Sequence, residues 1–251
     1  MEGETEYLST RFDSSREPIP SWSRSVDWII KVSKCYNFSA LSTYLAVSYM
    51  DRFLSSHEFP EPSGWPMQLL SVACLSLSAK LEEPEVPSLL DLQIEDASFV
   101  FEPRTVCRME LLILKSLNWR LSIVTPFAFL DFFFISKIGK PNRHFQLYSC
   151  VKAVIINSIR DAKLFEHSPS VIAAAAIVHA AAKDETMINL DTVISWWSSG
   201  EVLHKEEIIN CYNLIDGQRK RILHHPSPTS SSSSSSKSKR RKLNYSNLTP
   251  E

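Results

Sequence analysis

The chain has 251 residues, 44% of them hydrophobic and 22% charged, enough to bury one large core or two of about 100 residues each. Five glycines, with no GxGxxG and no GxxxxGK, argue against a phosphate-cradling loop and against a fold built on many tight turns. The formal net charge of −1 is unevenly spread: residues 224–251 carry five Lys or Arg and one Glu (+4), leaving −5 on residues 1–223, and a mildly acidic body does not fit a nucleic-acid-binding domain.

The opening MEGETEYLST is acidic and polar, unlike a secretory signal, and the apolar runs fall short of the ~18 residues a membrane span needs, so a soluble intracellular protein is expected. Cys35, Cys74, Cys107, Cys150 and Cys211 occur singly, with no CxxC and no His at zinc spacing. They read as small core residues in a reducing compartment. No metal and no cofactor is expected.

Residues 1–20 end in Pro18 and Pro20 and read as an extension. Trp22, Val26 and Ile29 then recur at helical spacing, and a second helix from Ala40 to Ser55 is apolar nearly all round until Asp51 and Arg52. Pro66 opens a third helix in which every residue between Gln68 and Lys80 is apolar or small and polar, as a helix enclosed on several sides requires. It stops at Glu82, Glu83 and Pro84. A short helix from Leu89 to Ile94 follows, then a fifth with one stripe of Val106, Met109, Ile113 and Leu117, ended by Asn118.

A second set begins at Thr125 and Pro126, with helices expected over 127–138 and 144–165. Ser168 as N-cap and Pro169 at the first position open another all-apolar helix. The Trp196 region and His204 to Lys220 supply the last two. Pro66 to Lys80 and Pro169 to Lys183 both span 14 residues, and both helices end in acid, at Glu82 and Glu185, 103 residues apart. A duplicated five-helix unit is the reading, since a helix surrounded by four others needs Ala and Ser where backbones approach. After His225 the chain is serine-rich and then basic, without material for a core, and is expected to be disordered.

The stretches SVDWIIKV (25–32), TYLAVSYMDRFLS (43–55), WPMQLLSVACLSLSAKLEE (65–83), RMELLILKSLNW (108–119) and TPFAFLDFF (125–133) resemble the cyclin box of plant D-type cyclins, over about Trp22 to Arg221. The resemblance implies an all-α fold of two tandem five-helix cyclin boxes, residues 21–119 and 120–223, between an N-terminal extension (1–20) and a disordered tail (224–251). It implies a non-catalytic subunit that binds and activates a cyclin-dependent serine/threonine kinase at entry into division, with kinase inhibitors as further partners and neither nucleic acid nor membrane.

Lys80 and Glu110 match the lysine and glutamate with which cyclins contact the kinase beside its αC helix. On physical grounds Lys80 suits the C-terminal end of its helix, whereas Glu82 and Glu83 beside it oppose the macrodipole and point to an outside partner. Glu110 is the one charge between Arg108 and Lys115 in an apolar helix, so it is expected to face water or a partner. Ordinary solvated helix charges are the plain alternative. His179, on an apolar helix, reads as a core residue, and Cys107 as a buried thiol.

In cyclins of the mitotic type a motif like MRAILVDW forms an apolar docking patch for RxL peptides. Aligning Asp27 and Trp28 with its end puts Ser21, Arg24 and Ser25 at the aliphatic positions, so that only Trp28 and Gln68 keep their expected type. Weak docking is expected. KSKRRK, with Lys237, Lys239, Arg240, Arg241 and Lys242, reads as a nuclear import signal, placing the protein in the nucleus with a cytoplasmic pool. Ser227-Pro228 and Thr249-Pro250 are minimal proline-directed kinase sites. No LxCxE segment is present, so pocket-protein docking by that route is not expected. Two other functions compete: a cyclin-fold transcription-initiation factor, which needs a basic groove, and a helical enzyme or scaffold, of which the enzyme needs clustered acids or His.

Overall fold

The structure is a computed structural model that describes residues 20–57, 64–93, 99–134, 141–182, 191–193 and 205–224. Among them there is no strand. The helices are α1 (Pro20–Cys35), α2 (Ala40–Ser56), α3 (Trp65–Glu82), α4 (Pro103–Ser116), α5 (Pro126–Phe133), α6 (Pro141–Ser158), α7 (Pro169–Ala181) and α8 (Lys205–His224), with 3-10 turns at Asp91–Gln93 and Ala162–Glu166.

Two helices are enclosed, as their composition predicts. α3 packs against α1, α2 and α4, and it buries Met67 and every residue from Leu69 to Ala79. Its serines fit because they turn back on their own helix: the Ser71 hydroxyl donates to the Met67 carbonyl at 2.7 Å and the Ser78 hydroxyl to the Leu75 carbonyl at 2.9 Å. α7 packs against α5, α6 and α8, and Ser168 accepts from the Val171 N–H at its start, with Pro169 in the first turn. The two sets meet where α2 packs on α6. One continuous hydrophobic cluster runs through both, from Trp22 to Ile215.

Four helical expectations change in extent. The segment after Pro84 forms only a 3-10 turn at Asp91–Gln93, because Gln93 is buried and spends its amide on the chain around it, donating to the Leu89 carbonyl (2.6 Å) and accepting from the Phe101 N–H (2.6 Å). The helix expected over 144–165 starts at Pro141 and stops at Ser158. Asp161 breaks it, with an extended backbone and a side chain that accepts from the Lys163 N–H and from Gln218 of α8. α5 ends at Phe133, and residues 135–138 lie outside the described residues. α8 continues past Lys220 to His224. Also outside are residues 1–19, Ile94, Lys183, Glu185, Trp196 and the tail from residue 225, with its serine-proline, threonine-proline and basic motifs.

The segment between the two sets is tied to α2. The Tyr49 hydroxyl donates to the Leu121 carbonyl (2.9 Å) and the Arg52 guanidinium to the Arg120 carbonyl (3.0 Å), while Arg160 pairs with Asp27 of α1.

Candidate functional site

Lys80 and Glu110 sit 30 residues apart in sequence and meet in space. The Lys80 ammonium donates to both carboxylate oxygens of Glu110, at 2.6 and 2.7 Å. Glu110 lies beside the inward stripe of α4, flanked by Met109 and Ile113, and its side chain is 9% exposed, whereas the Lys80 side chain is 42% exposed. The expectation that Glu110 faces water or a partner is therefore corrected. In the free chain its counter-charge is internal, because packing α4 on α3 brings the lysine stem over it, and a buried carboxylate left unpaired would cost several kcal/mol.

Glu83 also finds its partner within the chain. Its carboxylate accepts from the Ser39 N–H at 2.7 Å and from the Ser42 hydroxyl, at the N-terminal end of α2. The acid that clashes with the end of its own helix is thus placed at the positive end of another. Only Glu82 and Lys80 of the four expected kinase-binding residues remain exposed; Glu83 is half-buried as a cap. Glu83→Ala is expected to lower stability by about 1–2 kcal/mol, seen as a shift in the urea midpoint, as loss of a capping group does elsewhere.

The two helices that carry the pair also expose leucines. Leu81 follows Lys80, Leu111 and Leu112 follow Glu110, and all three are about half exposed or more. The stripe of Val106, Met109, Ile113 and Leu117 leaves Leu111 and Leu112 on the opposite side of α4, so periodicity alone could have found them. An ion pair on two helices that also expose leucines is a surface suited to a protein partner.

The second group of expected residues comes apart. Arg24 is exposed and Trp28 half-buried, but Ser25 is 7% exposed and points inward. The inner face of α1 carries Trp22, Val26, Ile29 and Ser33, and position 25 falls on it at three or four residues from Trp22 and Ile29. Leucine at 25 would enlarge the core and not the outer patch. Gln68 is occupied, donating to the Phe99 carbonyl at 2.9 Å.

The cysteines divide. Cys74 and Cys211 are buried, which pushes the first thiol up and the second up to about 12; Cys35, Cys107 and Cys150 are exposed, against expectation, because their positions fall on outer helix faces. His179 is buried on α7 with its Nε2 3.7 Å from Asp216 of α8. Among the described residues no group of three or more His, Cys, Asp or Glu could hold a metal, and no helix is long and apolar enough to cross a membrane.

Comparison with known proteins bears on the whole arrangement. The family model of the cyclin N-terminal domain matches residues 4–122 and that of the cyclin C-terminal domain residues 124–248. Cyclin-D2-1 of Oryza sativa subsp. japonica is 46% identical over 221 residues, 85% of this chain and 67% of its own length. Cyclin-D1-1 of Arabidopsis thaliana is 46% identical over 215 residues, 84% of this chain and 62% of its own. The chain spans between about half and two thirds of the length of such relatives. Among solved structures, a viral cyclin from herpesvirus saimiri aligns with a TM-score of 0.70 at 17% identity, covering 84% of this chain and 90% of that one. A chain of the CAK complex from Chaetomium thermophilum aligns at 0.57 and 15% identity, covering 88% and 72%. At these identities the structures share the fold.

Proposed function

Because the chain belongs to the cyclin family, with plant D-type cyclins among its relatives, we propose that it is the regulatory subunit of a cyclin-dependent serine/threonine kinase that promotes passage from G1 into S phase. The family consists of regulatory subunits and not enzymes. The observation that carries the kinase reading is the Lys80–Glu110 pair, which holds two charges together on helices that also expose Leu81, Leu111 and Leu112.

The chemistry belongs to the kinase. Its αC glutamate must pair with the β3 lysine that positions the ATP phosphates. A surface that docks beside αC only when the helix is turned inward favours that conformation by its differential affinity, and moving the kinase from about 1% to 99% active takes about 5.5 kcal/mol of such preference. Leu81, Leu111 and Leu112 supply apolar area, while Lys80, Glu82 and Glu110 supply direction. Kinase inhibitors are the further class of partner.

The test mixes the purified chain with a plant cyclin-dependent kinase catalytic subunit and follows histone phosphorylation. Activity should rise with added chain to a stoichiometric plateau. No rise with any such kinase, despite a folded chain, would overturn the reading.

The basic run Lys237, Lys239, Arg240, Arg241 and Lys242 supports nuclear import with a cytoplasmic pool. Removing residues 225–251 should leave the thermal midpoint unchanged and cost a fluorescent fusion its nuclear enrichment. A nuclear signal that survives both this deletion and a change that abolishes kinase binding would sink the import role.

A further inference from the structure

A groove of about 190 Å³ lies between the end of α1, the start of α2 and the middle of α6. Its floor is apolar, built on Ile30, Phe38 and Ile156, and its lining also includes Lys34 and Lys152. None of the residues of the proposed kinase face lines it.

Charge around the groove runs against that of the body. α1 carries Arg24, Lys31 and Lys34 against Asp27, and the middle of α6 adds Lys152. That is four cations, on residues 21–223 whose total is −2, while Asp27 is already matched by Arg160 and the Glu83 carboxylate is taken up by the Ser39 N–H and the Ser42 hydroxyl at the start of α2. Lys152 is further oriented, its ammonium 4.4 Å from the centre of the Tyr148 ring.

A third observation points to a ligand. Ser33 lines the groove, is 3% exposed, and its hydroxyl has no hydrogen-bond partner among the described residues. Ser71, Ser78 and Ser158 close such a hydroxyl onto their own backbone, whereas Ser33, like Ser48 of α2 and Ser76 of α3, does not; of these three open hydroxyls only that of Ser33 belongs to a residue lining this groove. A buried hydroxyl left open is unfavourable unless an acceptor is supplied from outside.

We propose that this groove is a docking site for an acidic linear peptide of another protein, seating an apolar side chain on the floor, setting flanking carboxylates against Lys34 and Lys152, and giving one acceptor to the Ser33 hydroxyl. Apolar burial supplies the anchor, and the lysines select charge and speed encounter. The site deepens the role of a regulatory subunit, since a second docking surface allows a kinase complex to choose substrates.

The probe is the fluorescein-labelled octapeptide DDELFEDD, with NNQLFQNN as its uncharged counterpart, titrated by anisotropy into the full chain at low salt. The acidic peptide should bind at least roughly tenfold more tightly than the neutral one, and the difference should shrink as salt rises from about 0.05 to 0.5 M. Lys34→Glu with Lys152→Glu should weaken it roughly tenfold or more while leaving kinase activation unchanged, which separates failure here from failure of the kinase reading. Ser33→Ala should weaken the peptide a few-fold yet raise the thermal midpoint, because it removes the open hydroxyl; a purely structural serine would not move the two in opposite senses. Equal affinity for both peptides, or no response to charge reversal, overturns the proposal. So does a tenfold gain on deleting residues 1–19, which would make the chain's own acidic N-terminal segment the occupant.

Discussion

A chain carrying Lys80→Ala together with Glu110→Ala should keep its helical circular dichroism and cooperative unfolding but lose kinase binding by roughly 100-fold or more in co-purification and titration. Removing both charges leaves neither stranded, so the cost to the fold should be small. The single changes should differ from one another. Glu110→Ala leaves Lys80, already 42% exposed, free to turn to water, and the loss of stability should be about 1 kcal/mol or less. Lys80→Ala leaves a carboxylate that is 9% exposed with no cation beside it, and should cost roughly 2–3 kcal/mol. Denaturant midpoints read the asymmetry directly. A double variant that still activates the kinase would place the docking face elsewhere.

Asp51→Asn should produce the largest change in how stability depends on pH. Asp51 is 8% exposed on α2, and burial pushes its carboxyl from 3.8 up to about 7. The folded chain therefore holds a proton that the unfolded chain has released between those two values, and stability falls as pH rises from about 4 to above 7. The full difference corresponds to roughly 4 kcal/mol. Asparagine has the same shape and no charge to form, so the variant should lose that contribution to the slope and be the more stable chain above pH 7. Urea unfolding from pH 5 to 8 measures it. Parallel curves for the two chains would show that Asp51 ionises without penalty.

Much of the architecture was legible because it follows from local rules. Ser168 and Pro169 announce the start of α7, and the unbroken run of small and apolar residues from Leu69 to Ala79 announces a helix with neighbours on every side. Where reading by period failed, a specific polar residue had the deciding role. Asp161 ends the long helix after Ser158, and Gln93 holds the chain before α4 in a 3-10 turn; in both cases the bonding partner lies on another segment.

The candidate site divides in the same way. The sequence by itself marks Lys80 and Glu110 as odd charges on apolar helices, and the exposed leucines follow from the stripe on α4. It also determines that the chain is all-helical and built from two similar sets, because helical period, capping residues and composition are properties of consecutive residues. Only the tertiary structure decided that Lys80 neutralises Glu110, that Glu83 caps α2, that Ser25 turns inward, and that Lys34 and Lys152 flank one groove. Those outcomes depend on the angle and offset at which helices 30 to 120 residues apart pack, and a displacement of one turn, about 5.4 Å, would pair each charge with a different residue.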